Sequence, residues 1–242
     1  MNPTTLIIPA ITLTTMPLAA SADITHLEDN RSYNSNLLLF GGPGTTTIDD
    51  ERIVYFNDFD QVIIDSLENS ISDPVIGNAN TSVDFESSIT HTEFYSNATT
   101  SASATTFEGG SIAFANMAVF NSVYFTIDET TNFNINGFVS GSNSTSESVI
   151  NFSSRTENGD YIDTIFDQYS FNQTISINTT LELEAGAYSF FALSYASPSA
   201  FESNRSFSGT AAHEITVTVV PTPASSALLF LASSTLLIRR RR

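Results

Sequence analysis

Val123-Tyr124-Phe125-Thr126-Ile127-Asp128, followed shortly by Asn132-Phe133-Asn134-Ile135-Asn136, alternates apolar and polar side chains one by one. A period of two puts every second side chain on the same face of an extended chain, so both runs predict β-strands with one dry and one wet face. The pattern recurs outward from there. Ile175 and Ile177 form one such run, and Ile215, Val217 and Val219 alternate with Thr216 and Thr218 further on. Ala187 to Tyr195 is apolar on both faces, as in a strand lying in the middle of a sandwich. Turn chemistry separates the runs at Gly41-Gly42-Pro43-Gly44, Asn78, Gly109-Gly110, Gly141, Asn158-Gly159-Asp160 and Gly186. Many short strands rich in Thr, Val, Ile, Phe and Tyr predict an all-β fold: a single antiparallel β-sandwich, jelly-roll-like, over residues 23–219.

Three stretches depart from this pattern. Asp58 to Ile71 carries Phe59, Val62, Ile63, Leu67 and Ile71 at helix-compatible spacing, but Val62-Ile63-Ile64 suits a strand equally well. Ser140 to Ser148 reads as a polar loop of low complexity, and Ala98 to Thr106 is nearly as plain. Neither is long enough to link two domains.

The 242 residues leave room for one domain of ordinary size with a real core, supplied largely by 19 Phe and 8 Tyr. There is no cysteine, which excludes a disulfide framework, a thiolate zinc site and a cysteine nucleophile. All eight basic residues are arginine, and four of them form the final tetrad. The remaining four, set against 26 acids between Asp23 and Glu214, leave the body at −22. Such a surface repels nucleic acid and anionic lipid, so neither is an expected partner.

The two ends read as addresses. Within residues 1–22, Leu6 to Met16 is a short apolar stretch, Pro17 breaks it, and Ala20-Ser21-Ala22 places small side chains before Asp23. This predicts a secretory signal removed at Asp23. In residues 220–242, Val220-Pro221-Thr222-Pro223 precedes fifteen uncharged residues, Ala224 to Ile238, and then Arg239, Arg240, Arg241 and Arg242. As a helix the apolar part would span about 22 Å against a hydrocarbon core of about 30 Å. Snorkelling arginines and Val219 with Val220 would cover part of the difference. Terminal arginines would hold the C-terminus in the cytoplasm and put the body across the inner membrane, in agreement with the signal.

This order of parts resembles the PEP-CTERM sorting signal of exported proteins from Gram-negative bacteria: a Val-Pro-Glu-Pro motif, an apolar helix and a basic cluster. Val220, Pro221 and Pro223 match, and Thr222 stands where the family usually has Glu. Leu181, Leu183, Gly186 and Tyr188 likewise match the L-x-L-x-x-G-x-Y hairpin found in many such domains, with the leucines and Tyr188 as core and Gly186 as the turn. The resemblance implies transient insertion in the inner membrane, cutting near the proline motif by an exosortase-type protease, and delivery to the envelope, outer surface or medium. Exosortase systems accompany exopolysaccharide production, so an extracellular polysaccharide or biofilm matrix is the implied setting.

Chemistry-bearing motifs are sparse. The sequence holds no G-x-S-x-G elbow, phosphate-binding glycine loop or H-E-x-x-H, and His26, His91 and His213 lack ligand spacing. Paired acids can be found at any spacing among 26, so they single out no catalytic pair. Calcium is the one cofactor suggested: Asp49, Asp50 and Glu51, Asp58 and Asp60, and Glu157, Asp160 and Asp163, bring hard oxygen donors into short loops. Three functions follow as expectations. The first is a non-enzymatic matrix or cell-surface protein. The second is a carbohydrate-binding or adhesive module using Tyr124, Tyr161, Tyr169 and Tyr195, which coplanar surface tyrosines would favour. The third is a secreted glycoside hydrolase, which a cleft with two facing acids would favour.

Overall fold

The computed structural model describes residues 24–41, 46–56 and 62–220, and every regular element among them is a strand. The candidate signal with Ala20, Ala22 and Asp23, the acids Asp58 and Asp60, and the tail from Pro221 and Pro223 to Arg239–Arg242 lie outside the described residues. In chain order the strands are β1 (Ile24–Gly41), β2 (Thr46–Phe56), β3 (Ile63–Asp73), β4 (Gly77–Ile89), β5 (Glu93–Thr106), β6 (Ile112–Ile127) and β7 (Thr131–Gly141). They continue with β8 (Ser146–Arg155), β9 (Tyr161–Phe171), β10 (Gln173–Leu183), β11 (Gly186–Ala196), β12 (Ser199–Phe201) and β13 (Arg205–Val220).

All pairings are antiparallel, and they build two sheets. The first runs β2-β1-β6-β11-β8-β9, with β12 also beside β6; the second runs β10-β7-β13-β5-β4-β3. The alternating runs at 123–127 and 132–136 lie in β6 and β7, one in each sheet. Their inward side chains meet across the core: Phe125 and Phe133 have ring centroids 5.8 Å apart. Ala187 to Tyr195 lies within β11, between β6 and β8 in the interior of its sheet; Tyr188, Phe190, Ala192 and Ser194 are buried, whereas Phe191, Leu193 and Tyr195 on the outer face are only partly covered.

Three local expectations resolve here. The stretch compatible with helix or strand becomes β3 from Ile63 onward. Asn78 is no turn residue: it lies within β4 opposite Ser72, and the turn falls at 74–76. Gly77 takes the special backbone position instead, with φ +152° and the carbonyl of Thr105 where a Cβ would sit. Ala98 to Thr106 is an interior strand segment rather than a loop, paired on both sides. Its inward residues are Ala98, Thr100, Ala102, Ala104 and Thr106, too small to register as a hydrophobic stripe.

The connection from Leu181 to Tyr188 also differs from the expected hairpin. Its two strands belong to different sheets, so the chain turns a corner across the sandwich edge. Leu183 and Tyr188 are both buried, and the Tyr188 hydroxyl donates to the carbonyl of Glu184 at 2.7 Å, closing the corner.

The interior divides into three apolar clusters. One end holds Phe94, Phe125, Phe133, Phe152 and Phe190 with Ile135, Ile150 and Ile215. The middle holds Tyr33, Val83, Phe85, Met117 and Val119. The opposite end is built from Leu37, Leu39 and a set of alanines, among them Ala79, Ala102, Ala104, Ala113 and Ala115. Polar residues separate the clusters in register. Inward positions of β4 read Ala79, Thr81, Val83, Phe85, Ser87, Ile89; those of β5 read Phe94, Ser96, Ala98, Thr100, Ala102, Ala104. Two polar belts therefore cross the core.

Candidate functional site

The belt nearest the phenylalanine cluster contains a buried ion pair. Arg31 on β1 is 0% exposed, and its Nη2 lies 2.6 Å from Asp29 Oδ2. A β-bulge between His26 and Glu28 precedes the pair on β1. Arg31 Nη1 donates to Ser87 Oγ on β4 at 3.3 Å, and Asn121 Nδ2 on β6 donates to the same oxygen at 3.3 Å, so the group ties the two sheets together. Burial pushes the Asp29 carboxyl above the usual carboxylate range, and Arg31 opposes this incompletely. The guanidinium stays in place because both sheets feed it partners.

The same belt contains His213 on β13. Its Nε2 is 2.7 Å from Ser96 Oγ in the same sheet, and its Nδ1 is 2.8 Å from Ser194 Oγ in the other. Ser148 continues the chain, 3.2 Å from Ser194. Complete burial disfavours the imidazolium and pushes the His213 pKa down to about 4, against a weaker upward pull from the Leu193 backbone. A Ser–His contact suggests nucleophilic catalysis, but this one is sealed between the sheets, where no substrate reaches it. Its role is to link the layers. The second belt works alike: Ser35 on β1 shares a 2.7 Å bond with Thr81 on β4 and accepts from Asn69 on β3.

Chemistry accessible to a partner lies on the outer faces, which differ sharply. The outward side chains of β5 include Asn97, Thr99, Ser101, Ser103 and Thr105; those of β7 include Asn132, Asn134 and Asn136; those of β10 include Ser176, Asn178 and Thr180. Cross-strand register sets Ser70, Asn80, Ser103 and Ser208 in one row, and Glu68, Ser82, Ser101 and Thr210 in the next. These rows line a trough of about 580 Å³. Neighbours hydrogen-bond sideways, as with Thr105 and Ser206 at 2.9 Å, so the second sheet presents an ordered lattice of hydroxyls and amides.

The first sheet carries most of the exposed rings, although Phe207 on β13 of the second sheet is also 47% exposed. Tyr169 and Phe171 on edge strand β9 are 53% and 44% exposed and meet at 5.8 Å in a T-shaped contact. Phe120 and Phe191, on neighbouring strands, lie 6.3 Å apart. Register puts Phe171, Glu147 and Tyr195 side by side on β9, β8 and β11. These three, with Ser144, Thr145 and Ser197, line a hollow of about 270 Å³.

The tyrosines singled out in the sequence have separate settings. The Tyr124 hydroxyl donates to the Thr156 carbonyl at 2.7 Å, the Tyr161 ring lies 5.4 Å from the Arg155 guanidinium carbon, Tyr169 meets Phe171, and Tyr195 borders the hollow. No two of the four stack on one another among the described residues. Glu157, Asp160 and Asp163 occupy the β8–β9 connection and the start of β9, all exposed. Asp163 Oδ1 accepts from the amide of Thr164, and Thr156 donates its amide to the Asp160 carbonyl, so turn geometry uses part of this oxygen set. Among the described residues no three His, Cys, Asp or Glu side chains converge in a way that would hold a metal ion. The candidate processing residue Val220 ends β13 opposite Asn132. Arg31, Asp29 and Glu147 belong to no motif in the sequence, and His213 shows there only that it lacks ligand spacing; their settings arise from cross-sheet contacts and strand register.

The described body is thus a two-layer antiparallel β-sandwich with one hydroxyl-rich and one ring-bearing outer face. No protein-family model and no curated protein sequence matches the chain. Among solved structures, it is similar to the enzymatically active domain of tailspike protein 4 of bacteriophage CBA120, at 13% identity and TM-score 0.26, over 64% of this chain and 19% of that one. It is also similar to the VP2 subviral particle of infectious bursal disease virus, at 11% identity and TM-score 0.28, over 88% and 76% of the respective chains. This chain therefore spans about a fifth of the tailspike's length. At these scores neither likeness bears on what the chain does.

Proposed function

We propose that this is an exported, non-enzymatic matrix or cell-surface protein, sorted through residues 220–242 by an exosortase-type protease and held in exopolysaccharide. The carrying observation is the outer face of the second sheet. A hydrated polysaccharide offers hydroxyls at a repeating spacing, and a rigid lattice of Ser, Thr and Asn can exchange hydrogen bonds with it over a wide area. Each such bond contributes little net free energy, so the contact is broad and weak, suited to retention in a matrix. We read the repeated crossing between sheets as jelly-roll-like. The exposed acids at 157–163 suit loose association with calcium. A second reading, a carbohydrate-binding or adhesive module, is favoured by the exposed rings of β9.

Fractionation of cells producing the full chain tests the proposal. The expected product is a shortened species outside the inner membrane that sediments with exopolysaccharide. Deleting Arg239–Arg242, or changing Pro221→Ala and Pro223→Ala together, should leave a full-length, membrane-bound precursor. Variants shortened and released like the parent would contradict the sorting signal.

A further inference from the structure

We propose that the hollow between Phe171 and Tyr195 is a binding subsite for one neutral hexopyranose ring of a polysaccharide, with Glu147 accepting hydrogen bonds from its hydroxyls. It deepens the polysaccharide reading by naming a site and a sugar class on the opposite face from the hydroxyl lattice.

Three features point there. The first is spacing. Phe171, Glu147 and Tyr195 are successive cross-strand neighbours, so the two ring-bearing backbones stand about 10 Å apart with the carboxylate between them. A pyranose is amphipathic, with C–H groups on its faces and hydroxyls around its rim. The rings of Phe171 and Tyr195 that line the hollow can meet the first and the Glu147 carboxylate the second, through charge-assisted hydrogen bonds.

The second is rigidity. The rim loop is pinned before any ligand arrives: Asn143 Oδ1 accepts from the Thr145 amide at 2.9 Å and from its hydroxyl at 2.7 Å. The Ser197 amide donates to the Thr145 carbonyl at 2.8 Å, and Tyr169, two residues back on β9, packs edge-on against Phe171. A preorganised wall avoids the ordering penalty that weakens sugar binding on loose loops.

The third is charge. Glu147 sits in a body carrying −22, so a uronate or sulfated sugar would be repelled where a neutral hexose is not. The hollow of about 270 Å³ suits a single ring better than a long oligomer, so affinity for an isolated chain end is modest and avidity on a polymer does the rest.

The test titrates the full chain in detergent with neutral oligosaccharides of glucose, galactose and mannose, and with oligogalacturonate. Tyrosine fluorescence is the readout, since the chain contains no tryptophan to mask it. Saturable binding of at least one neutral series is expected, with oligogalacturonate bound at least about tenfold more weakly. Phe171→Ala and Tyr195→Ala should each weaken the neutral ligand by about tenfold, and Glu147→Gln by about fivefold, with circular dichroism unchanged. Glu51→Gln removes an exposed carboxylate of the same sheet outside the hollow and should leave the titration as it was. Absence of saturation with every neutral series, or Phe171→Ala and Glu147→Gln variants binding like the parent, would overturn the subsite. Sedimentation of such variants with exopolysaccharide would then leave the matrix reading standing, so the two can fail separately.

Discussion

At one end of the sandwich interior, Phe94, Phe125, Phe133, Phe152 and Phe190 pack ring against ring; at the other, Ala79, Ala102, Ala104, Ala113 and Ala115 fill the space between the same two sheets. Rings fill a gap by their own bulk and gain from edge and offset contacts, such as Phe152 against Phe190 at 5.3 Å. The alanine end is filled instead by small side chains under Leu37, Leu39 and Ile76, so little volume is left there for a larger residue. Between the two ends, polar belts tie the layers at defined points. Apolar packing is indifferent to small slips, whereas Arg31 with Ser87, or His213 with Ser96 and Ser194, is satisfied in one register alone.

The largest effect is expected where volume does the work. Phe152→Ala should lower stability by about 3–5 kcal/mol, because its three ring neighbours, Phe125, Phe133 and Phe190, cannot all collapse into the space left. Urea unfolding of the full chain, followed by circular dichroism, measures it. A loss below about 1 kcal/mol would mean that the aromatic end is loosely packed.

Next comes the belt. His213 has a folded pKa pushed down to about 4, below its unfolded value of 6.5. Above pH 6.5 both states are neutral and the belt contributes in full. As pH falls below 6.5 the unfolded chain takes up a proton that the folded one refuses, so stability declines down to about pH 4, by roughly 3 kcal/mol in all. Urea midpoints between pH 7.5 and 5 should therefore drop for the parent and stay flatter for His213→Leu. Equal slopes would remove His213 from the account of acid sensitivity.

At the alanine end the expected sign is overpacking. Ala104→Leu should destabilise by about 1–3 kcal/mol by forcing the sheets apart, although it adds apolar area. A stabilising outcome would reveal spare volume and weaken the contrast between the ends. The smallest effect belongs to the hydroxyl lattice: Ser82→Ala, facing outward on β4, should shift stability by less than about 0.5 kcal/mol. A larger loss would mean that the lattice is structural rather than a contact surface.

The same contrast explains which parts of the chain were readable. Val123-Tyr124-Phe125-Thr126-Ile127 reveals its face because large apolar and polar residues alternate. Ala98 to Thr106 hides the same alternation, since Ala and Thr face inward while Ser and Thr face outward, and hydropathy barely separates them. The hairpin expected at Leu181–Tyr188 became a corner because a local turn pattern does not state which sheet each flanking strand joins. Glu147, Phe171 and Tyr195 gave no motif: they come from three strands, and their adjacency exists only through pairing register.

Sequence by itself determined the all-β character, since a period of two is a local property of the chain, and with it the acidity of the body and the absence of any cysteine chemistry. Tertiary structure alone decided which strands face each other, where Arg31 and His213 find partners, and which outer face carries rings. Those depend on strand order and register, and they are set by the joint burial of side chains far apart in sequence, which no local pattern encodes.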